Sequence, residues 1–163
     1  MSEIDANLIR VMSESTTVGS EDVAAALSLA LEIARDGGEE HRVGALFTLG
    51  NAEAVLARSR PLILDPLKGH HPEATHISDP QLRGTIKELA NLDGAFVIAD
   101  GGTVVAACRY LDTLAEGIHL PLGLGTRHLA AAAISKVPGI AAIAVSQGGG
   151  VRVFCDGELV AQL

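Results

Sequence analysis

Aromatic residues are nearly missing from this sequence: it has no Trp, one Tyr and three Phe among 163 residues. Without aromatic stacking platforms, a general role in binding single-stranded nucleic acid is disfavoured. The core must instead be built from Ala, Val, Leu and Ile, which let helices lie close against a sheet. Cysteine is equally scarce. Cys108 and Cys155 form no CxxC pair and leave no set for a metal cage or a disulfide framework, so both read as buried, reduced thiols. Long apolar runs are also lacking. The longest helical one, Leu129 to Ile134, is far too short to span a bilayer, and the first ten residues mix Glu3, Asp5 and Arg10 where a signal peptide would carry an apolar segment. Positive charge is outweighed, 12 Lys and Arg against 20 Asp and Glu, for a net charge of −8. Such a surface repels phosphate backbones. No nucleic-acid partner and no membrane partner are therefore expected, and the cytosol is the expected location. A small anionic ligand stays compatible, because a local cluster of donors overrides the global charge.

What is present is a 48% apolar chain of ordinary single-domain length. Residues 1–19 read as a mixed leader able to form a short helix, and residues 20–163 as the domain. Ser20 is the expected N-cap of a helix whose apolar face is Val23, Ala26, Leu27, Ala30, Leu31 and Ala34, stopped by Gly37 and Gly38. Val43 to Leu49 reads as a buried strand, Ala52 to Arg58 as a short helix, and Pro61 to Leu64 as a second apolar stretch. The Pro- and His-containing region from Asp65 to Pro80 reads as loop. Asp79-Pro80 starts a helix with Leu82, Ile86, Leu89 and Ala90 on its apolar side. Two hairpins follow from Asp100-Gly101-Gly102 and Asp156-Gly157. Between them lie a loop from Leu111 to Leu124, a helix from Thr126 to Lys136 and a strand from Ile140 to Val145. Helices alternating with continuous apolar strands imply an α/β fold, a mixed sheet with helices on both faces.

Three segments carry chemistry. Leu122-Gly123-Leu124-Gly125-Thr126-Arg127-His128 leads a glycine-bearing loop into a helix. The first turn of a helix has free N–H groups and partial positive charge. Thr126 adds a hydroxyl, Arg127 a planar fork suited to phosphate, and His128 a donor to phosphate or a metal ligand. The plainer alternative is a Thr N-cap followed by two solvated residues. The segment is neither a P-loop nor a GxGxxG fingerprint. Leu92-Asp93-Gly94-Ala95 sets a carboxylate before a strand, where it can hold a divalent cation or accept a proton from a hydroxyl. Gly94 and Ala95 are small enough to leave room for a sugar or base, although the same residues also suit a simple turn. Val145-Ser146-Gln147-Gly148 ends a strand with a hydroxyl, fit for a phosphate or for a plain hairpin.

Taken together, Asp93-Gly94-Ala95, Gly125-Thr126-Arg127-His128 and the strand ending in Ser146 resemble the diadenylate cyclase domain, in a pattern similar to its archaeal branch. Arg58-Ser59-Arg60-Pro61-Leu62-Ile63-Leu64-Asp65-Pro66 and Ala106-Ala107-Cys108-Arg109-Tyr110-Leu111 fit the same likeness, which runs from about Ala25 to the C-terminus. The resemblance implies condensation of two ATP into cyclic di-AMP between two facing subunits of a homo-oligomer, with Mg2+ or Mn2+. It implies a role for Asp93 at the metal and the attacking 3′-hydroxyl, with Arg127 and His128 as its catalytic companions and His128 as a second metal ligand. Gly94 and Ala95 fall beside the ribose. Leu111, or Tyr110 if the hairpin holds one extra residue, reads adenine through its backbone. Gly125, Thr126, Arg127, His128 and Ser146 contact phosphate. The chain departs from the bacterial pattern at Leu129, where a second arginine is usual, and at Gln147 and Gly148, where acids are usual. These departures keep open a catalytically inactive module that senses ATP or a cyclic dinucleotide, and the leader keeps open an interaction domain. His70, His71 and His76 lack the spacing and the Cys partners of a zinc set and read as a solvated loop; His41 and His119 belong to no constellation.

Overall fold

A computed structural model describes residues 4–36, 44–113, 117–120 and 123–163. The continuous apolar runs become the middle of a sheet. Ala45–Leu49 (β1), Ala95–Ile98 (β3) and Ala141–Val145 (β5) are buried at every position, as strands covered on both faces must be. Around them lie Ser59–Pro61 (β2), Val104–Leu111 (β4), Val151–Cys155 (β6) and Glu158–Gln162 (β7), in the order β2-β4-β3-β1-β5-β6-β7. β1 and β3 run parallel, and the other five pairings are antiparallel. The edges are the strands least able to pair further. β2 is short and ends in Pro61, and β7 exposes alternate residues.

The pleat sends alternate side chains into two cores. On one face Phe47, Phe96 and Ile143 meet Ala6–Thr16 (α1), Ser20–Asp36 (α2) and Pro80–Leu89 (α4) through Met12, Leu27, Ala30 and Ile86. Phe47 and Phe96 stack with ring centroids 5.1 Å apart. On the other face Leu46, Val97, Ala144 and Phe154 meet Ala52–Ala57 (α3) and Thr126–Ile134 (α5) through Val55, Ala131 and Ile134. The alanine run of α5 is what brings that helix close to the sheet. The expected α/β sheet covered on both faces is therefore present.

Local chemistry accounts for most boundaries. The Asp79 carboxylate accepts from the Leu82 N–H at 2.9 Å, with Pro80 in the first turn. Ser20 is already helical; the Asp22 and Val23 N–H groups donate to the Gly19 carbonyl, which moves the cap one residue earlier than expected. The helix expected within residues 1–19 is α1, capped by Asp5, and its Met12 is fully buried against the domain. β4 reaches Leu111, so the loop read from that residue begins one position later. Within β4, Cys108 has φ +57 and the pairing with β3 shifts register, a bulge that no sequence signal announced. His76 ties the loop down: its ring lies 3.0 Å from the Gly101 carbonyl and 3.5 Å from Asp22. Gly37 and Gly38 as helix stop, His41, Val43 as strand start, and Leu122 all lie outside the described residues.

Candidate active site

Strand direction alone gathers the chemical residues at one end of the sheet. β1 and β3 begin there, and β4 and β5, running against them, finish there. Asp93 and Gly94 precede β3, Leu111 closes β4, and Ser146 follows β5. α5 starts at the same end, over the second core. The result is an open cavity of about 610 Å³ lined by Asp93, Gly94, Ala95, Leu111, Gly125, Thr126, Arg127, His128 and Ser146. Its size suits one nucleotide. The carboxylate before β3 and the helix start after Gly125 therefore face the same space, although separate stretches of sequence supply them.

The α5 start is not the Thr-capped helix of the plainer alternative. Gly125 holds the cap position with φ −90° and ψ −168°, and among the described residues no side chain caps the first-turn amides. Thr126 is the first helical residue, so its hydroxyl is not spent on capping. An uncapped N-terminus at a cavity wall is suited to an anion. Arg127 forms no ion pair among the described residues. His128 is different in kind. It is 4% exposed, set edge-on to Phe154, and its Nε2 has no hydrogen-bond partner among the described residues. Burial, then the neighbouring charges of Arg152 and Arg127, push its pKa below the ordinary histidine value. The ring is accordingly neutral at physiological pH and can donate one N–H or offer one lone pair.

Asp93 is exposed, and one of its oxygens accepts from the Gly94 N–H at 3.0 Å. Gly94 has φ +112°, and a Cβ there would come within 2.6 Å of the Cys108 backbone. Its small size serves the close approach of β3 to the bulge in β4, a duty that the sequence reading, with its sugar or base, did not foresee. Ser146 Oγ accepts from the Gly148 N–H at 3.0 Å, which leaves its own O–H free to donate.

Register separates Leu111 from Tyr110. The Asp112 N–H donates to the Arg58 carbonyl and the Leu62 N–H to the Cys108 carbonyl, while Ser59 pairs with Leu111. In an antiparallel ladder this makes 59/111 a non-hydrogen-bonded pair. The Leu111 amide and carbonyl thus point away from β2, toward the side where β3 starts only at Ala95, opposite Arg109. The Tyr110 backbone is turned to β2, and its ring carries the Arg60 guanidinium 4.7 Å above it.

Several lining residues were given no role in the sequence reading. Arg109 lines the cavity, but its guanidinium is held by Ser59 and by the Leu56 carbonyl. Gln147 and Leu129, noted as departures, also face the space. Gly44 borders an adjoining pocket of about 300 Å³ together with Asp93, Arg127 and Gln147; a lone glycine before an apolar run was its only signal. Among the described residues no three His, Cys, Asp or Glu side chains gather as a metal cage. One exposed carboxylate fits a hard divalent cation that takes its remaining oxygens from phosphates and water. No helix among the described residues is long and apolar enough to cross a membrane.

The family described as DisA bacterial checkpoint controller nucleotide-binding, DAC, matches residues 32–159. A diadenylate cyclase of Methanocaldococcus jannaschii is 49% identical over 135 residues, covering 82% of this chain and 42% of that protein. A diadenylate cyclase of Haloferax volcanii is 40% identical over 136 residues, covering 83% of this chain and 49% of its own length. The chain spans less than half the length of these two relatives. Among solved structures, DacA from Staphylococcus aureus superposes with a TM-score of 0.56 at 22% identity, over 86% of this chain and 85% of that one. A hypothetical membrane spanning protein from Bacillus cereus gives 0.62 at 20% identity, over 85% and 62%. At these identities the structural likeness speaks to the fold.

Proposed function

The chain belongs to the DAC family of DisA-type nucleotide-binding domains, and on that premise we propose that it joins two ATP molecules into cyclic di-AMP with release of two pyrophosphates. The observation that carries this reading is the single cavity onto which Asp93, Leu111, Ser146 and the uncapped start of α5 all open. Each domain holds one ATP. The backbone edge of Leu111 reads the adenine, with Gly94 and Ala95 beside the ribose. The first-turn amides of α5, the Thr126 hydroxyl, the Arg127 fork and the Ser146 O–H donate to phosphate oxygens. The neutral His128 ring donates or ligates from the cavity wall. Mg2+ or Mn2+, held by Asp93 with His128 as second donor, would neutralise charge on the triphosphate. Asp93 draws the proton from the 3′-hydroxyl, which attacks the α-phosphorus of the other ATP; one O–P bond forms as the bond to the pyrophosphate oxygen breaks, and this happens twice. Positioning and charge stabilisation supply most of the rate, as in other phosphoryl transfers.

Such a reaction needs two domains face to face, since one cavity presents one nucleotide. Incubation with ATP and Mn2+ or Mg2+, followed by separation of nucleotides, is expected to yield cyclic di-AMP, with a rate that rises as the square of protein concentration where the chain is monomeric. A rate strictly proportional to concentration in a monomeric sample counts against facing subunits. Leu129 and Gln147 on the cavity wall favour a second reading, a sensor that binds ATP or a cyclic dinucleotide without turnover. Tight ATP binding with no cyclic product selects it. In either case Arg127→Ala is expected to weaken ATP binding by roughly 1.5–3 kcal/mol, the usual range for a hydrogen bond to a charged group, as read by calorimetry.

A further inference from the structure

The Arg127 guanidinium ends a long, flexible side chain, so it needs a seat if it is to meet phosphate in one geometry. The described contacts give it no carboxylate partner. What it has is a space. The three atoms nearest to a Cβ built on Gly44 are the Nη1, Cζ and Nη2 of Arg127, all within 2.8 Å. The side chain therefore lies against bare backbone at the start of β1. Register explains the location. Leu46 pairs with Ala95 and Ala45 with Val145, so one step further out Gly44 stands between Asp93 and Ser146. Arg127 spans the wall shared by the nucleotide-sized cavity and the adjoining 300 Å³ pocket that Gly44 borders.

We infer that Gly44 is a positioning residue, whose missing side chain seats the Arg127 guanidinium between Asp93 and Ser146, where it meets the phosphates. The inference rests on the assignment of Arg127 to phosphate binding. The group in the way of a Cβ at Gly44 is the far end of a flexible side chain. Gly44→Ala is thus expected to fold normally and to displace the guanidinium, which separates this role from a structural one.

The test is a double-mutant cycle on the nucleotide-free and ATP-bound protein. Gly44→Ala should melt within a degree or two of the unchanged chain and weaken ATP binding about 10-fold or more, comparable to Arg127→Ala. The double variant should bind no worse than Arg127→Ala alone, because the seat has no function without its occupant. In an Arg127→Lys background, whose narrower head tolerates a methyl, Gly44→Ala should cost little. Without nucleotide, the Arg127 Nε–H resonance, identified by its loss in Arg127→Ala, should move in Gly44→Ala. An unmoved resonance overturns the inference whatever the protein binds. Additive losses in the cycle also overturn it and make Gly44 a separate determinant. If Arg127→Ala binds ATP normally, the assignment of Arg127 fails; the resonance still decides whether Gly44 seats it.

Discussion

Protein carrying Asp93→Asn is expected to bind ATP with near-unchanged affinity at saturating Mg2+ or Mn2+ yet to form cyclic di-AMP at least ~100-fold more slowly, the lower end of what a positioned proton acceptor contributes. The exchange is nearly isosteric. Asp93 is exposed at the cavity wall, and the bond its Oδ1 accepts from the Gly94 N–H can be kept by an asparagine carbonyl. The fold should therefore be spared. The donors assigned to phosphate sit on α5 and at Ser146, so most of the binding is spared as well. What disappears is negative charge and proton affinity beside the 3′-hydroxyl. Steady-state turnover, with calorimetric titration of ATP, reads the two effects apart. Full activity in Asp93→Asn removes this carboxylate from the chemistry. Loss of binding and turnover together makes it a metal or nucleotide anchor first.

Gly94→Ala is expected to act on stability. A side chain at a glycine-type positive φ costs about 1–3 kcal/mol, and a Cβ forced against backbone costs a further ~1–3 kcal/mol because backbone cannot swing aside. Both apply here, with φ +112° and the Cys108 Cα and carbonyl carbon each 2.6 Å from the added atom. Against a domain stability of about 5–15 kcal/mol, the melting temperature should fall by roughly 10 °C or more, in the absence of any nucleotide. If the only duty of Gly94 were to leave room for a ribose, the variant would melt normally and lose ATP affinity alone. Thermal melting of the nucleotide-free protein distinguishes the two.

The residues that line the cavity were readable from the chain because each sits where chemistry and punctuation coincide. Asp93 precedes a run that is apolar at every position, and Thr126 and Arg127 follow a glycine-bearing loop and open an alanine-rich helix. Asp79-Pro80 fixed the start of α4 in the same way. The layers were readable too, since β1, β3 and β5 are apolar at every position but Thr48. What stayed hidden depends on pairing across the sheet. Which of Tyr110 and Leu111 has a free backbone edge depends on the register of β4 against β2. The true constraint on Gly94 depends on a bulge at Cys108, and Cys108 looks like any buried thiol. Gly44 is telling only beside an arginine from a distant helix. Met12 and its helix lie in a segment with mixed polarity, and their burial depends on a groove formed by α2 and β5.

The pairing of β1 has a consequence for how the molecule comes into being. Its neighbours on either side are β3 and β5, each delivered long after β1 itself. During synthesis this buried, largely apolar strand waits with one hydrogen-bonding edge open until Ala95–Ile98 is made and with the other open until Ala141–Val145 is made. Chains rich in such distant contacts fold slowly and expose sticky intermediates. A slow, chaperone-sensitive acquisition of the native state is built into the same strand order that sets Gly44 between Asp93 and Ser146.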